Sequence, residues 1–189
     1  MTDQAAEGSP SVAPPQRTKK IMTTQYSSLA RWLHWLSAGV ILWASITGFY
    51  VALVSENPTM NQWIGFINVS LTTLFIPFFI LRCFHTLLSK KPDTPNLSRL
   101  NQKIAHGMHQ LIYLATAAVL VSGVMMMERE ISIFGLVEIP HLLAEGELTT
   151  LFARAHKYSC VVLASLISLH IVAVIKHEIS GIRIIRKMI

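Results

Sequence analysis

The sequence predicts an all-α fold: an integral membrane four-helix bundle with both termini cytoplasmic. Three observations carry this. Hydrophobic residues make up 52% of the 189 and charged residues only 14%, a balance too apolar for a soluble domain of this size. Four stretches, near Leu29–Val54, Trp63–Phe84, Ile104–Met127 and Phe152–Ile175, reach the length of about 20 mainly apolar residues that a bilayer crossing needs. Thirteen of the sixteen Lys and Arg fall on one side of these spans, and the other side holds Arg129, Arg154 and Lys157. This is the positive-inside asymmetry. A basic surface facing anionic lipid accounts for the net charge of +6 with no nucleic-acid partner.

Residues 1–24 are rich in Ser, Pro, Gln and Ala, have no apolar period, and read as a disordered cytoplasmic tail. They lack the apolar core and cleavage site of a signal peptide, and Met22 offers a second start to the chain. Residues 25–189 form the transmembrane domain. The first span opens with Arg31-Trp32-Leu33-His34-Trp35, whose arginine and tryptophans are interfacial anchors. The short loop from Ser55 to Gln62 makes the first two spans antiparallel neighbours. The second span carries Asn68, Ser70, Thr72 and Thr73 toward its outer end, then Pro77, which removes a backbone donor and is expected to kink it, then Arg82. A polar connector with Pro92 and Pro95 follows. The third span opens with His106 and His109 and ends in Met125-Met126-Met127, and Ala117, Ala118 and Gly123 offer small surfaces for close helix packing. The outer loop from Glu128 to Leu151 holds Ile131-Ser132-Ile133-Phe134-Gly135, a run expected to lie over the bundle mouth.

The fourth span holds His156 and His170, fourteen residues apart. That is nearly four helical turns, so both rings leave one face, ~21 Å apart along the axis. In a hydrocarbon core of about 30 Å one lies near each membrane surface. Ionisable side chains inside a span are costly, and by default they mark function. His34 and His170 share a cytoplasmic-side depth. Bis-imidazole ligation of a b-type haem requires such a pair on facing helices, but two unrelated polar residues hydrogen-bonded in the bundle fit the spacing equally well. At the outer depth His156 faces Asn68, a poor iron ligand, if spans two and four pack antiparallel. Its alternative reading is an interfacial histidine beside Arg154 and Lys157.

Arg82 suits a haem propionate or a quinone carbonyl, or it simply snorkels to the surface. His109 reads as a polar inter-helix contact ahead of its alternative, part of a quinone pocket. His85, His106 and His177 sit at wet edges, and His141 lies in the outer loop. Met125–Met127 read as packing, although methionine can ligate haem iron. Cys83 and Cys160 fall near opposite faces, too far apart to bridge, and read as packing residues. With no CxxCH motif any haem is non-covalent. Phosphate-loop, zinc-hydrolase and nucleophile-elbow motifs are absent, and no carboxylate lies inside a span.

Taken in order, Ala30-Arg31-Trp32-Leu33-His34-Trp35-Leu36, Leu81-Arg82, His109-Gln110-Leu111-Ile112-Tyr113, Ser122-Gly123, His156, His170 and Lys176-His177 resemble the bacterial cytochrome b561 family. That family is related to the cytochrome b subunits of nickel–iron hydrogenases. The resemblance runs from about Tyr26 to Met188 and implies a four-helix cytochrome b domain with two b haems. It implies that His34 and His170 ligate iron on the cytoplasmic side, that His156 ligates an outer haem with a histidine from span two, and that Arg82 binds cofactor. The family's interval of fourteen residues back from Arg82 lands on Asn68. One of four axial ligands is therefore missing: one haem b is expected, and the outer site is incomplete.

The resemblance implies a multi-pass electron carrier of the bacterial inner membrane, or a quinone-linked oxidoreductase, working in a respiratory or redox chain with quinone or a redox protein. A homodimer and a subunit of a larger redox complex both fit. Oxidation of superoxide at the outer face, known among relatives, needs the outer haem and ranks low. The reading from a different class is a membrane anchor that docks a partner redox enzyme and holds one haem or none. The charge asymmetry predicts that a reporter fused to the C-terminus is active if it works in the cytoplasm and silent if it needs the periplasm; the reverse pattern refutes the topology.

Overall fold

The computed structural model describes residues 26–89, 99–181 and Ile185. The tail of residues 1–24, the prolines at 92 and 95, Lys90, Lys91 and the terminal Arg183, Arg186 and Lys187 lie outside the described residues.

Four helices carry the chain: α1 Ser28–Leu53, α2 Pro58–Leu88, α3 Arg99–Met125 and α4 Glu147–Ile179. All four are long and apolar enough to cross a membrane. α1 matches its expected span to within one residue at each end, and α2, α3 and α4 begin about five residues earlier than expected. Ser27 accepts a hydrogen bond from the Ala30 amide and Asn57 one from Met60, with Pro58 at the first helical position, where its missing N–H costs nothing. At the start of α4 the buried Thr149 hydroxyl bonds the Gly146 backbone. Glu147 in its first turn, and Lys176 and His177 in its last, complement the helix dipole. Pro77 sits inside α2, a placement tolerated in a membrane span.

The tightest helix pairings are α1 with α2 and α3 with α4, joined through α2 against α3. The α1–α2 pair is the antiparallel neighbour relation the short loop predicts. Up-and-down connectivity makes α2 and α4 parallel, which corrects the antiparallel arrangement expected for them. Asn68 and His156 all the same each lie between about two and a half and three turns from the first residue of their helices. Val40, Phe75 and Phe79 form the buried core, with Tyr113, Leu120 and Cys83 packed against it. Away from this seam large apolar side chains face outward, among them Ile46, Leu87, Leu88 and Val172. This is the surface of a multi-pass membrane protein, for which lipid is the solvent.

The run over the bundle mouth is a β-hairpin, Ile131–Ile133 paired antiparallel with Val137–Ile139. Phe134 and Gly135 both have positive φ, as a type I′ turn demands, and the Leu136 amide closes the turn on the Ile133 carbonyl. Ile131 is 2% exposed. Fully buried Ser70 of α2 holds the hairpin twice: its hydroxyl donates to the Ser132 carbonyl and accepts from the Phe134 amide, both at 3.0 Å. Phe66 meets the Phe134 ring edge-on at 6.3 Å. Ser70→Ala strands two backbone groups in an apolar setting. We expect a loss of about 1–3 kcal/mol, read as a lower Tm in detergent and faster proteolysis near Leu136. Unchanged values in both assays contradict this anchoring.

Candidate haem-binding site

The halves of the helices that carry His34 and His170 bring together one polar cluster. Arg82 of α2 is its centre. Its Nη2 donates to His34 Nδ1 at 2.9 Å, and its Nε donates to the Tyr113 hydroxyl at 3.1 Å. Its guanidinium also lies 5.2 Å from the Tyr113 ring centre, and Thr86 joins the Tyr113 hydroxyl at 3.0 Å. An arginine that merely snorkels shows no such partners, so Arg82 does more than reach for water. On the other helix pair His109 and His170 meet edge-to-face at 5.0 Å, and the His109 Nδ1–H donates to the Ala105 carbonyl. His34 lies within electrostatic range of both. His34 and His170, on helices α1 and α4, thus belong to one cluster with His109 as a third ring. Just outside α1, burial and then nearby Tyr113 raise the Tyr26 phenol above its ordinary value, so it stays neutral. His85 is not simply solvated: Ser27 and Ser89 both hydrogen-bond its ring.

The opposite halves of the helices differ. The two helix pairs separate around a cavity of about 300 Å³, within the ~300–1,000 Å³ usual for cofactor sites. Asn68 and His156 both line it. His156 Nδ1 is 3.1 Å from the Val119 carbonyl and 3.2 Å from the Ser122 hydroxyl. The carbonyl can only accept, so Nδ1 carries the ring proton and Nε2 keeps its lone pair, met only by the weak donor Cys160 Sγ at 3.5 Å. A metal-binding histidine is prepared in this way. Gly123 allows it, because a Cβ there would stand 3.2 Å from the imidazole Cε1. Gly48 and Gly65 line the same cavity, and a Cβ at either meets nothing within 4 Å. Both leave open space that side chains would fill. These features fit a flat cofactor held by an imidazole.

Several of these residues escape sequence reasoning. Cys160, expected only to pack, lines the cavity with its Sγ 3.5 Å from His156 Nε2. Met126 and Met127 also line it. The Val119 carbonyl and Ser122 hydroxyl gave no signal beyond the Ser122-Gly123 pair. His106 contacts Gln110, and His141 is exposed in the outer loop. Among the described residues no three His, Cys, Asp or Glu side chains converge as a bare metal ion would need. Haem iron asks the protein for only one or two axial ligands, so this count bears on free ions and not on haem.

A sequence profile of the prokaryotic cytochrome b561 family matches residues 25–189. The chain belongs to that family, which implies b-type haem binding. No curated protein sequence matches it. Arg82→Ala leaves His34 and Tyr113 each short of a partner. We expect a loss of about 1–3 kcal/mol, with Arg82→Lys recovering only part, since an ammonium lacks the guanidinium fork. Equal stability of all three proteins in thermal melts contradicts this role.

Proposed function

We propose that this protein is a b-type cytochrome of the bacterial inner membrane, with both termini cytoplasmic, passing single electrons to or from quinone in a respiratory or redox chain. The observation that carries the reading is the convergence of His34, Arg82, His109 and His170 at one depth in a family that binds haem b.

Bound there, haem supplies the one-electron iron couple, and everything else falls to the chain. His34 and His170 would hold the iron of the inner site. Arg82 must donate to His34 Nδ1, which puts the proton of the neutral ring on Nε2. Holding iron through Nε2 would need the opposite tautomer, and Arg82 would then give up that contact. Its guanidinium would be free for a carboxylate such as a haem propionate. Tyr113 keeps its hold on Arg82 Nε and prevents the side chain from leaving the site. The apolar core of Val40, Phe75 and Phe79 keeps water from the middle of the bundle. A quinone that diffuses within the bilayer reaches the outward-facing apolar surface without crossing water.

The anchor reading is favoured by no contact in this fold. It is told apart by purification with a soluble enzyme whose activity does not need haem in this chain. The main test is optical. His34→Ala and His170→Ala should each abolish the low-spin haem spectrum, and Arg82→Ala should shift its midpoint potential or weaken haem retention. Full retention of that spectrum in both histidine variants refutes the assignment, and reduction of the purified protein by a quinol tests the electron partner.

A further inference from the structure

The outer cavity is asymmetric in its chemistry. On the α3–α4 wall His156 presents Nε2, touched only by the weak donor Cys160 Sγ at 3.5 Å, with its ring fixed by the Val119 carbonyl, the Ser122 hydroxyl and the close approach of Gly123. On the α1–α2 wall stands Asn68. Its side-chain carbonyl accepts from the Thr47 hydroxyl at 3.0 Å, a proton that Thr47 shares with the Trp43 carbonyl at 2.7 Å. The Asn68 backbone carbonyl accepts from Thr72 at 2.7 Å. With Oδ1 occupied, the amide Nδ2 has no partner among the described residues. It is not sealed from open space either, and its residue lines the cavity. The site therefore pairs a prepared imidazole with a free N–H donor across an otherwise largely apolar space.

An amide nitrogen does not ligate iron, because its lone pair is delocalised into the carbonyl. The amide oxygen, a weak ligand at best, is held by Thr47. We propose that the outer site holds haem through His156 alone. The second axial position stays open, and Asn68 Nδ2–H donates to a small diatomic ligand bound there. Such a ligand places electron density on its outer atom, which a hydrogen-bond donor stabilises. Thr47 acts on this ligand only by fixing the orientation of the amide. The cavity walls otherwise offer Thr72, Thr73, Ser45 and the thioethers of Met126 and Met127. The inference rests on the haem-binding reading but not on the inner histidine pair.

The test uses the purified full chain. Carbon monoxide is added to the dithionite-reduced protein and cyanide to the oxidised protein. Wild type should show a high-spin ferric EPR signal and bind one carbon monoxide per chain. His156→Ala should lose both, and Asn68→His should convert the site to low spin and close it to carbon monoxide. Asn68→Leu should keep carbon monoxide binding but raise the C–O stretching frequency and weaken cyanide about tenfold, the worth of one hydrogen bond. Four outcomes overturn the proposal: a wild type that is wholly low-spin, as a methionine or second-histidine ligand would make it; no haem lost on His156→Ala; carbon monoxide binding that survives in His156→Ala; or an Asn68→Leu protein with an unchanged C–O stretch. Loss of the low-spin spectrum on His34→Ala with the carbon monoxide reaction intact separates the two sites.

Discussion

Polar groups inside a hydrocarbon slab have no water to turn to, so each must find its partner within the protein. That constraint organises this bundle. Ser37, Thr116 and Ser122 return their hydroxyl protons to carbonyls four residues back, at Leu33, Ile112 and Ala118. Such bonds add no contact between helices. The long-range polar contacts are few by comparison, and they fall into two groups, one at each end of the helices. The bundle is held mostly by apolar packing along the α1–α2 and α3–α4 seams, and its polar side chains are set aside for two local tasks.

The two groups divide the work differently. At one end an arginine draws a histidine and a tyrosine from two other helices into one network, so charge, ring and hydroxyl are interdependent. At the opposite end His156 is held by α3 at Nδ1 and touched by Cys160 of its own helix at Nε2, and the Asn68 side chain is held by α1. Each wall is complete in itself, and the space between is left for something the chain does not provide. A short helix–helix loop and a close seam pull α1 onto α2, and α3 and α4 share a close seam although a longer, hairpin-bearing connection joins them. The gap between the pairs follows from these pairings, and Gly48 and Gly65 leave it unfilled.

Much of this was legible in the sequence, for physical reasons. Apolar length alone marks four spans, because a bilayer imposes a minimum crossing. The fourteen-residue interval between His156 and His170 places two rings on one face at two depths, because helical rise and repeat are fixed. The departure at Asn68 shows in the sequence as soon as the interval to Arg82 is counted. The starts of α2 and α4 were not legible, since Asn57 and Thr149 cap beyond the apolar stretches. Nor was the role of Val119, whose part is played by a backbone carbonyl that every residue possesses. Cys160 looked like any small buried residue, and its place beside His156 Nε2 comes from one helical turn, four residues on along α4. The hairpin was visible as an apolar run with a terminal Gly135 but not as paired strands. Phe134 is an unusual residue for a left-handed turn position and hides the signal that asparagine or glycine would have given.

Ser70 and the hairpin it anchors bear on the cavity below, because Ile131 is both the hairpin's buried residue and part of the cavity wall. An aliphatic side chain in that position keeps the local dielectric low. A redox centre beneath it would feel less solvent reorganisation as its charge changes, and its potential would follow the neighbouring dipoles more closely than the bulk solution. The width of the gap between the helix pairs determines what enters the outer site. The fit of one isoleucine under a two-stranded roof determines how strongly the outside medium is felt there. A single hydroxyl on α2 thus governs a property of the space rather than of any bond, namely its polarisability.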